Sequence, residues 1–298
     1  MNYIDTNLFS ETDDYLIFFD EQLTYFLNYI NKNTKLVYHY TSNNVIKEIL
    51  KSSSFRFSNI SQLNDYCEFA YLFTILSERL EKYECYYDKI FCQNLKKICS
   101  EYCDDEYVYI GNPKDIERQY YISSFSCSKD NLSLWTLYLK EKDFMGANIG
   151  LNPLKLKPKL DFSGKVIYSK TEQVKILDYF IKISNYYYEK IDKNNLEYYF
   201  GDMHDVLRKY AVFFKHPSFE QEHEYRFVYH PSITDAIKNE DGKLFIDIKF
   251  DFDNLIEDIV LSPIQSQLVE KEAIKNILKE YNIGETKITD SDIPFVKN

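Results

Sequence analysis

A chain of 298 residues, 45% hydrophobic and 28% charged, with 28 Tyr and 22 Phe but only 7 Gly and 7 Pro, can bury a large core, which excludes disordered and collagenous classes. Its net charge of −11 opposes the approach of polyanions, and its densest basic run, Lys155-Leu156-Lys157-Pro158-Lys159, reads as a solvated loop instead of a nucleic-acid patch. Six cysteines without any C-x-x-C, no apolar run of membrane-spanning length, and a start (Met1–Asp5) without the basic and apolar regions of a signal peptide give the expectation of a cytoplasmic protein with reduced thiols, no membrane partner and no metal.

Apolar residues at helical spacing (Tyr15, Phe18, Phe19, Leu23, Phe26, Ile30) predict an amphipathic N-terminal helix over about 11–31. Leu36–Tyr40 is short and β-prone, and Thr41-Ser42 then offers an N-cap to a helix carrying Val45, Ile46, Ile49 and Leu50. Ser52-Ser53-Ser54 breaks that helix before a second short strand at Phe55-Arg56-Phe57. About 64–103 reads as a helical insertion. Strands are expected at Tyr120–Cys127, Met145–Leu151 and Lys165–Tyr168, with helices at Leu132–Tyr138, Glu172–Tyr188 and Asp202–Phe214. The last third reads as strands Glu222–Tyr229, Lys243–Phe250 and Ile256–Leu261, helix Leu268–Tyr281 and a short strand Thr286–Ile288, with Asp241-Gly242 as a turn. No repeat or linker interrupts the pattern, so residues 1–298 are read as a single α+β domain: a mixed sheet with helical decorations.

No G-x-G-x-x-G, Walker A, G-x-S-x-G or H-E-x-x-H occurs, so the commonest nucleotide, phosphate, hydrolase and zinc readings lose their support. What remains is a set of polar residues on short strands. In Glu222-His223-Glu224-Tyr225-Arg226, side chains two apart share a strand face, which sets Glu222, Glu224 and Arg226 together, with His223, Tyr225 and Phe227 opposite. A charged row on a buried strand is costly unless paired or functional, and a structural ion pair through Arg226 is the plain reading. Tyr38-His39-Tyr40-Thr41 likewise puts His39 and Thr41 on one face and two tyrosines on the other, and Ser124-Phe125-Ser126 repeats the geometry with hydroxyls. Taken singly, His39 reads as a structural histidine and the serines as sheet or turn hydrogen-bonders.

Together with Arg56-Phe57-Ser58-Asn59, Asn64-Asp65-Tyr66-Cys67-Glu68, Leu134-Trp135-Thr136-Leu137-Tyr138, Ile259–Pro263 and Ile293-Pro294-Phe295, these pieces and their order resemble a bacterial family named only as a domain of unknown function. That family in turn is similar to a distant branch of the ADP-ribosyltransferase fold, whose split, mixed or antiparallel sheet grips NAD. The resemblance implies an NAD-dependent transferase or NAD glycohydrolase that cleaves the nicotinamide–ribose bond, with an acceptor of unknown identity, in a toxin or antiphage effector. It implies His39, Tyr40 and Thr41 holding ribose and amide, Ser124 and Ser126 supporting the site, Glu224 or Glu222 facing the ribose, and Arg56 binding the pyrophosphate or nicotinamide side. A fixed carboxylate suits that chemistry, because bond cleavage develops positive charge on the ribose. Tyr225 departs from the family's E-x-E-W-R form and Cys67 from its Pro or Phe, changes that put the docking geometry in question but leave every charged group in place. The alternative is a catalytically inactive nucleotide-sensing or protein-binding module on the same fold.

Overall fold

The computed structural model describes residues 15–62, 69–103, 120–139, 145–252, 255–264, 268–281, 283 and 286–294. The chain packs as two compact units, one comprising Met1–Lys32, Leu63–Ile116 and Val166–Ser218, the other Asn33–Gln62, Glu117–Lys165 and Phe219–Asn298.

The first unit is built from helices α1 (Tyr15–Ile30), α3 (Ala70–Tyr83), α4 (Lys89–Cys103), α7 (Lys170–Tyr188) and α8 (Leu196–Ala211). The N-terminal helix and the helical insertion read from the sequence thus share one unit with α7 and α8. Its core is aromatic: Phe26 stacks on Tyr210 with ring centroids 4.1 Å apart, and Phe19 packs against both Phe180 and Tyr199. Such rings bury large areas, which explains how a Gly-poor, Tyr-rich segment holds a bundle. An Arg79–Asp178 fork, at 2.6 and 2.7 Å, joins α3 to α7.

The second unit holds the sheet. Its strands are β1 (Val37–Ser42), β2 (Ser54–Asn59), β3 (Tyr121–Ser126), β4 (Gly146–Leu151), β5 (Phe162–Lys165), β6 (Glu224–Tyr229), β7 (Lys238–Glu240), β8 (Lys243–Lys249), β9 (Ile256–Leu261) and β10 (Lys287–Thr289). The order is β10-β9-β4-β1-β3-β2-β8-β7, and β6 pairs with both β3 and β5. Only the β9–β10 pairing is parallel among the described strands; the others are antiparallel, so the unit is a mixed α/β structure. Along one face, Val37, Phe55, Phe57, Phe125, Ile149, Tyr225, Phe227 and Ile259 form the main core with residues of α2 (Asn43–Ser52) and α9 (Leu268–Glu280). On the other, Tyr38, Tyr40 and Val260 pack against Leu134, Trp135 and Leu139 of α5 (Leu132–Leu139). Strand alternation decides this division, and it separates His39 and Thr41 from the two tyrosines as their spacing predicts.

Several boundaries differ from the sequence reading: the helix expected at Asp202–Phe214 runs Leu196–Ala211, β1 continues through Ser42, and two strands are displaced. The strand expected at Lys165–Tyr168 lies earlier, at Phe162–Lys165, after which the chain enters the helical unit. The strand expected from Glu222 begins at Glu224: Pro217–Glu222 forms 3-10 turns, and His223 takes a left-handed φ of 45° with its N–H on the Glu220 carbonyl. A left-handed residue reverses the backbone and interrupts strand alternation, so Glu222 does not share the face of Glu224 and Arg226.

The β7–β8 hairpin turns at Asp241-Gly242, with φ of 51° and 81°, the two left-handed positions of a tight turn that matches strand twist. An added Cβ at Gly242 meets no atom within 4 Å, so Gly242→Ala tests backbone strain without a clash. We expect it to lower stability by roughly 1–2 kcal/mol in urea unfolding, and an unchanged midpoint would contradict the turn geometry.

Candidate functional site

The central strands of the sheet separate along one edge of β3. Its first residues pair with β2 (Ser58 with Ile122, Asn59 with Tyr121), whereas its last pairs with β1 (Tyr38 with Ser126). The opposite edge runs unbroken along β6, from Tyr121–Tyr229 to Ser126–Glu224. The sheet is thus split, and Ser123, Ser124 and Phe125 face the opening.

His39 fills it from β1. Its ring lies 4.9 Å from that of Phe125 and 5.7 Å from that of Phe55, and it donates to the Ser124 backbone carbonyl. Burial among these rings pushes its pKa down to about 4, against the smaller upward pull of that hydrogen bond. The neutral imidazole is thus the favoured form beside the Ser124 backbone carbonyl, with the residue half-buried.

Glu224 lies on the other face. Alternation along β3 and β6 puts Ser124, Glu224 and Arg226 together, away from Phe125, Tyr225 and Phe227. Arg226 grips both carboxylate oxygens, Nε to Oε1 at 3.0 Å and Nη2 to Oε2 at 2.8 Å, and the Ser124 hydroxyl donates to Oε1. Side-chain exposure is 1% for Arg226 and 7% for Glu224, so the fork is a dry ion pair and not a screened surface contact.

The remaining candidates are held apart from this trio by other partners. The Ser126 hydroxyl donates to the Glu222 carbonyl at 2.8 Å and accepts from the Ser128 N–H, a stitch between the end of β3 and the turn before β6. Tyr40 donates its hydroxyl to the Ser128 carbonyl and packs edge-on against Trp135, a core role on the face away from His39. Thr41 is buried on the main-core side of β1, beside His39 in sequence alternation. Arg56 shares the sheet face of Ser124 but points toward the β7–β8 hairpin, where it pairs with Glu240 of β7 at 2.9 Å and lies 3.7 Å over the Phe245 ring of β8. The Asn64–Glu68 segment and Phe295 lie outside the described residues.

Sequence reasoning missed a polar groove of about 770 Å³ in the same unit, lined among others by Lys129, Asp130, Val260, Lys271, Lys287 and Thr289. Asp130 is fixed there, accepting from Trp135 Nε1, the Ser291 hydroxyl and the Asp292 N–H. These residues come from four separated segments with no motif among them, so only the L-W pair beside Asp130 offered any sequence signal. Among the described residues no group of three or more His, Cys, Asp or Glu could hold a metal, and no helix is long and apolar enough to cross a membrane.

Comparison with protein-family models, characterised proteins and solved structures finds no match to this chain.

Proposed function

We propose that the chain is a ligand-binding module without transferase activity. One observation carries this reading: the carboxylate that NAD cleavage would need is held on both oxygens by the Arg226 fork, at 7% exposure, with His39 on the opposite face of the sheet. Stabilising a developing oxocarbenium requires negative charge directed at the ribose, and a guanidinium bound to that carboxylate spends the charge locally. A polar groove of small-molecule size in the same unit gives binding a place to occur.

A second reading, NAD cleavage on an ADP-ribosyltransferase-like sheet, is favoured by the split along β3 and by the Ser124 hydroxyl on Glu224. In it, Ser124 and Arg226 orient the carboxylate. Incubating purified protein with nicotinamide-labelled NAD separates the two. The binding reading expects no nicotinamide release above the protein-free control. Release that falls about 100- to 1000-fold in Glu224→Gln would overturn it and establish the second reading.

A further inference from the structure

A second groove, of about 410 Å³, opens in the sheet unit beside the polar one and differs from it in chemistry. Lys271, Lys275, Leu278, Lys279, Ile283 and Ile288 line it with Thr286, so among the described residues three lysines and no carboxylate stand around an apolar floor. Its position follows from the chain path. The chain runs from β9 through α9 into β10, and the two strands are parallel, so the helix crosses back over the sheet. Ile274, Ile277 and Leu278 enter the main core, and Ile283 and Ile288 pack against it. Lys271, Lys275 and Lys279 succeed one another at the four-residue spacing that sets side chains in one row along a helix. The groove joins that row to β10. This strand, three residues long, ends the sheet, and β9 is its one partner among the described strands.

An edge strand offers N–H and C=O groups to any extended chain that reaches it, and the charge beside the edge decides which chain is admitted. Here that charge is positive. Lys279 forms no ion pair among the described residues, while Lys271 meets Asp290 at 3.4 Å and Lys275 meets Glu272 at 2.6 Å. Both are surface contacts, which are worth little and exchange readily for another carboxylate. Pairing of two β10 edges from separate copies would oppose Lys271, Lys275, Lys279 and Lys287 to their own kind, so like charge disfavours a second copy as the occupant. An acidic strand is the complementary one.

We propose that this groove captures an extended acidic segment of a partner protein, which adds to β10 as a strand, rests aliphatic side chains on Leu278, Ile283 and Ile288, and sets carboxylates against Lys271, Lys275 and Lys279. The proposal goes beyond the non-catalytic reading and does not depend on it, since neither Glu224 nor the polar groove is required. A labelled peptide of three Glu-Ile-Glu repeats carries acidic and aliphatic residues on both faces of a strand, and its fluorescence anisotropy is measured against the full chain. Saturable binding at sub-millimolar concentration is expected, with none by the matching Lys-Ile-Lys peptide. Methylating each isoleucine nitrogen keeps charge and side chains but removes backbone donors, and should weaken binding roughly tenfold or more. The surface double variant Lys275→Glu with Lys279→Glu should weaken it by a similar factor, whereas Lys243→Glu, the same kind of charge change on exposed β8 near the other end of the sheet, should leave it unchanged. Absence of saturable binding, equal affinity for the methylated peptide, or loss of affinity in Lys243→Glu as large as in the double variant would each overturn the proposal. Nicotinamide release from NAD is untouched by any of these outcomes, so failure at this edge is distinguishable from failure of the non-catalytic reading.

Discussion

Replacing Arg226 by alanine is expected to lower the unfolding free energy of the sheet unit by about 3–5 kcal/mol, the cost of leaving a buried carboxylate without its counter-charge. Glu224 has little recourse to water at 7% exposure, and the Ser124 hydroxyl donates to only one of its oxygens. The loss is a large fraction of an ordinary domain's stability, so the single variant alone could report only misfolding. A paired replacement, Glu224→Leu with Arg226→Met, removes both charges and keeps apolar volume, and should recover most of the loss. Urea unfolding followed by the fluorescence of Trp135, the chain's one tryptophan and fully buried in this unit, compares parent, single and double variants. A single variant within about 1 kcal/mol of the parent would show a solvated pair and remove the structural basis of the non-catalytic reading.

That pair was half legible in the sequence. Glu224 and Arg226 sit two apart in a β-prone run, and alternation alone predicts that they meet. Glu222 was misplaced because nothing in Glu-His-Glu announces that His223 turns left-handed; the reversal is fixed by the turn before it and by the Cys127 N–H bonded to the His223 carbonyl, a contact distant in sequence. Local patterns also gave the elements well: Ile256–Leu261 matches its expected bounds, and Asp241-Gly242 turns as its residue types require. What local pattern cannot carry is register between distant strands. The split along β3 depends on β1 and β2 pairing with opposite ends of one strand, and the polar groove gathers Ser128 to Asp130, Val260, Lys271, Lys287 to Asp290, and Asp292. His39 shows the consequence: its spacing gave its face, but only the split explains why a histidine is there.

The same histidine makes stability depend on pH, and the sign is fixed by its environment. In the folded chain its pKa is lowered to about 4, whereas an exposed histidine titrates near 6.5. The folded state therefore favours the neutral ring. Above about 6.5 both states are neutral and the contribution is fully present; as pH falls from 6.5 to 4 the unfolded chain takes up the proton first, and stability declines; below 4 both are protonated and the loss is complete. The difference between 6.5 and about 4 corresponds to about 3 kcal/mol, an upper figure for a single site. Carboxylates titrate partly in the same range, so the measurement is a comparison: urea unfolding of the parent and of His39→Gln, which keeps an N–H donor for the Ser124 carbonyl but cannot titrate. The parent should lose up to about 2.5 kcal/mol more than the variant between pH 6.5 and 4, even where the variant is less stable throughout. Parallel pH profiles would mean that the imidazole is not held neutral in the split, and would return His39 to the candidates for a solvent-facing site.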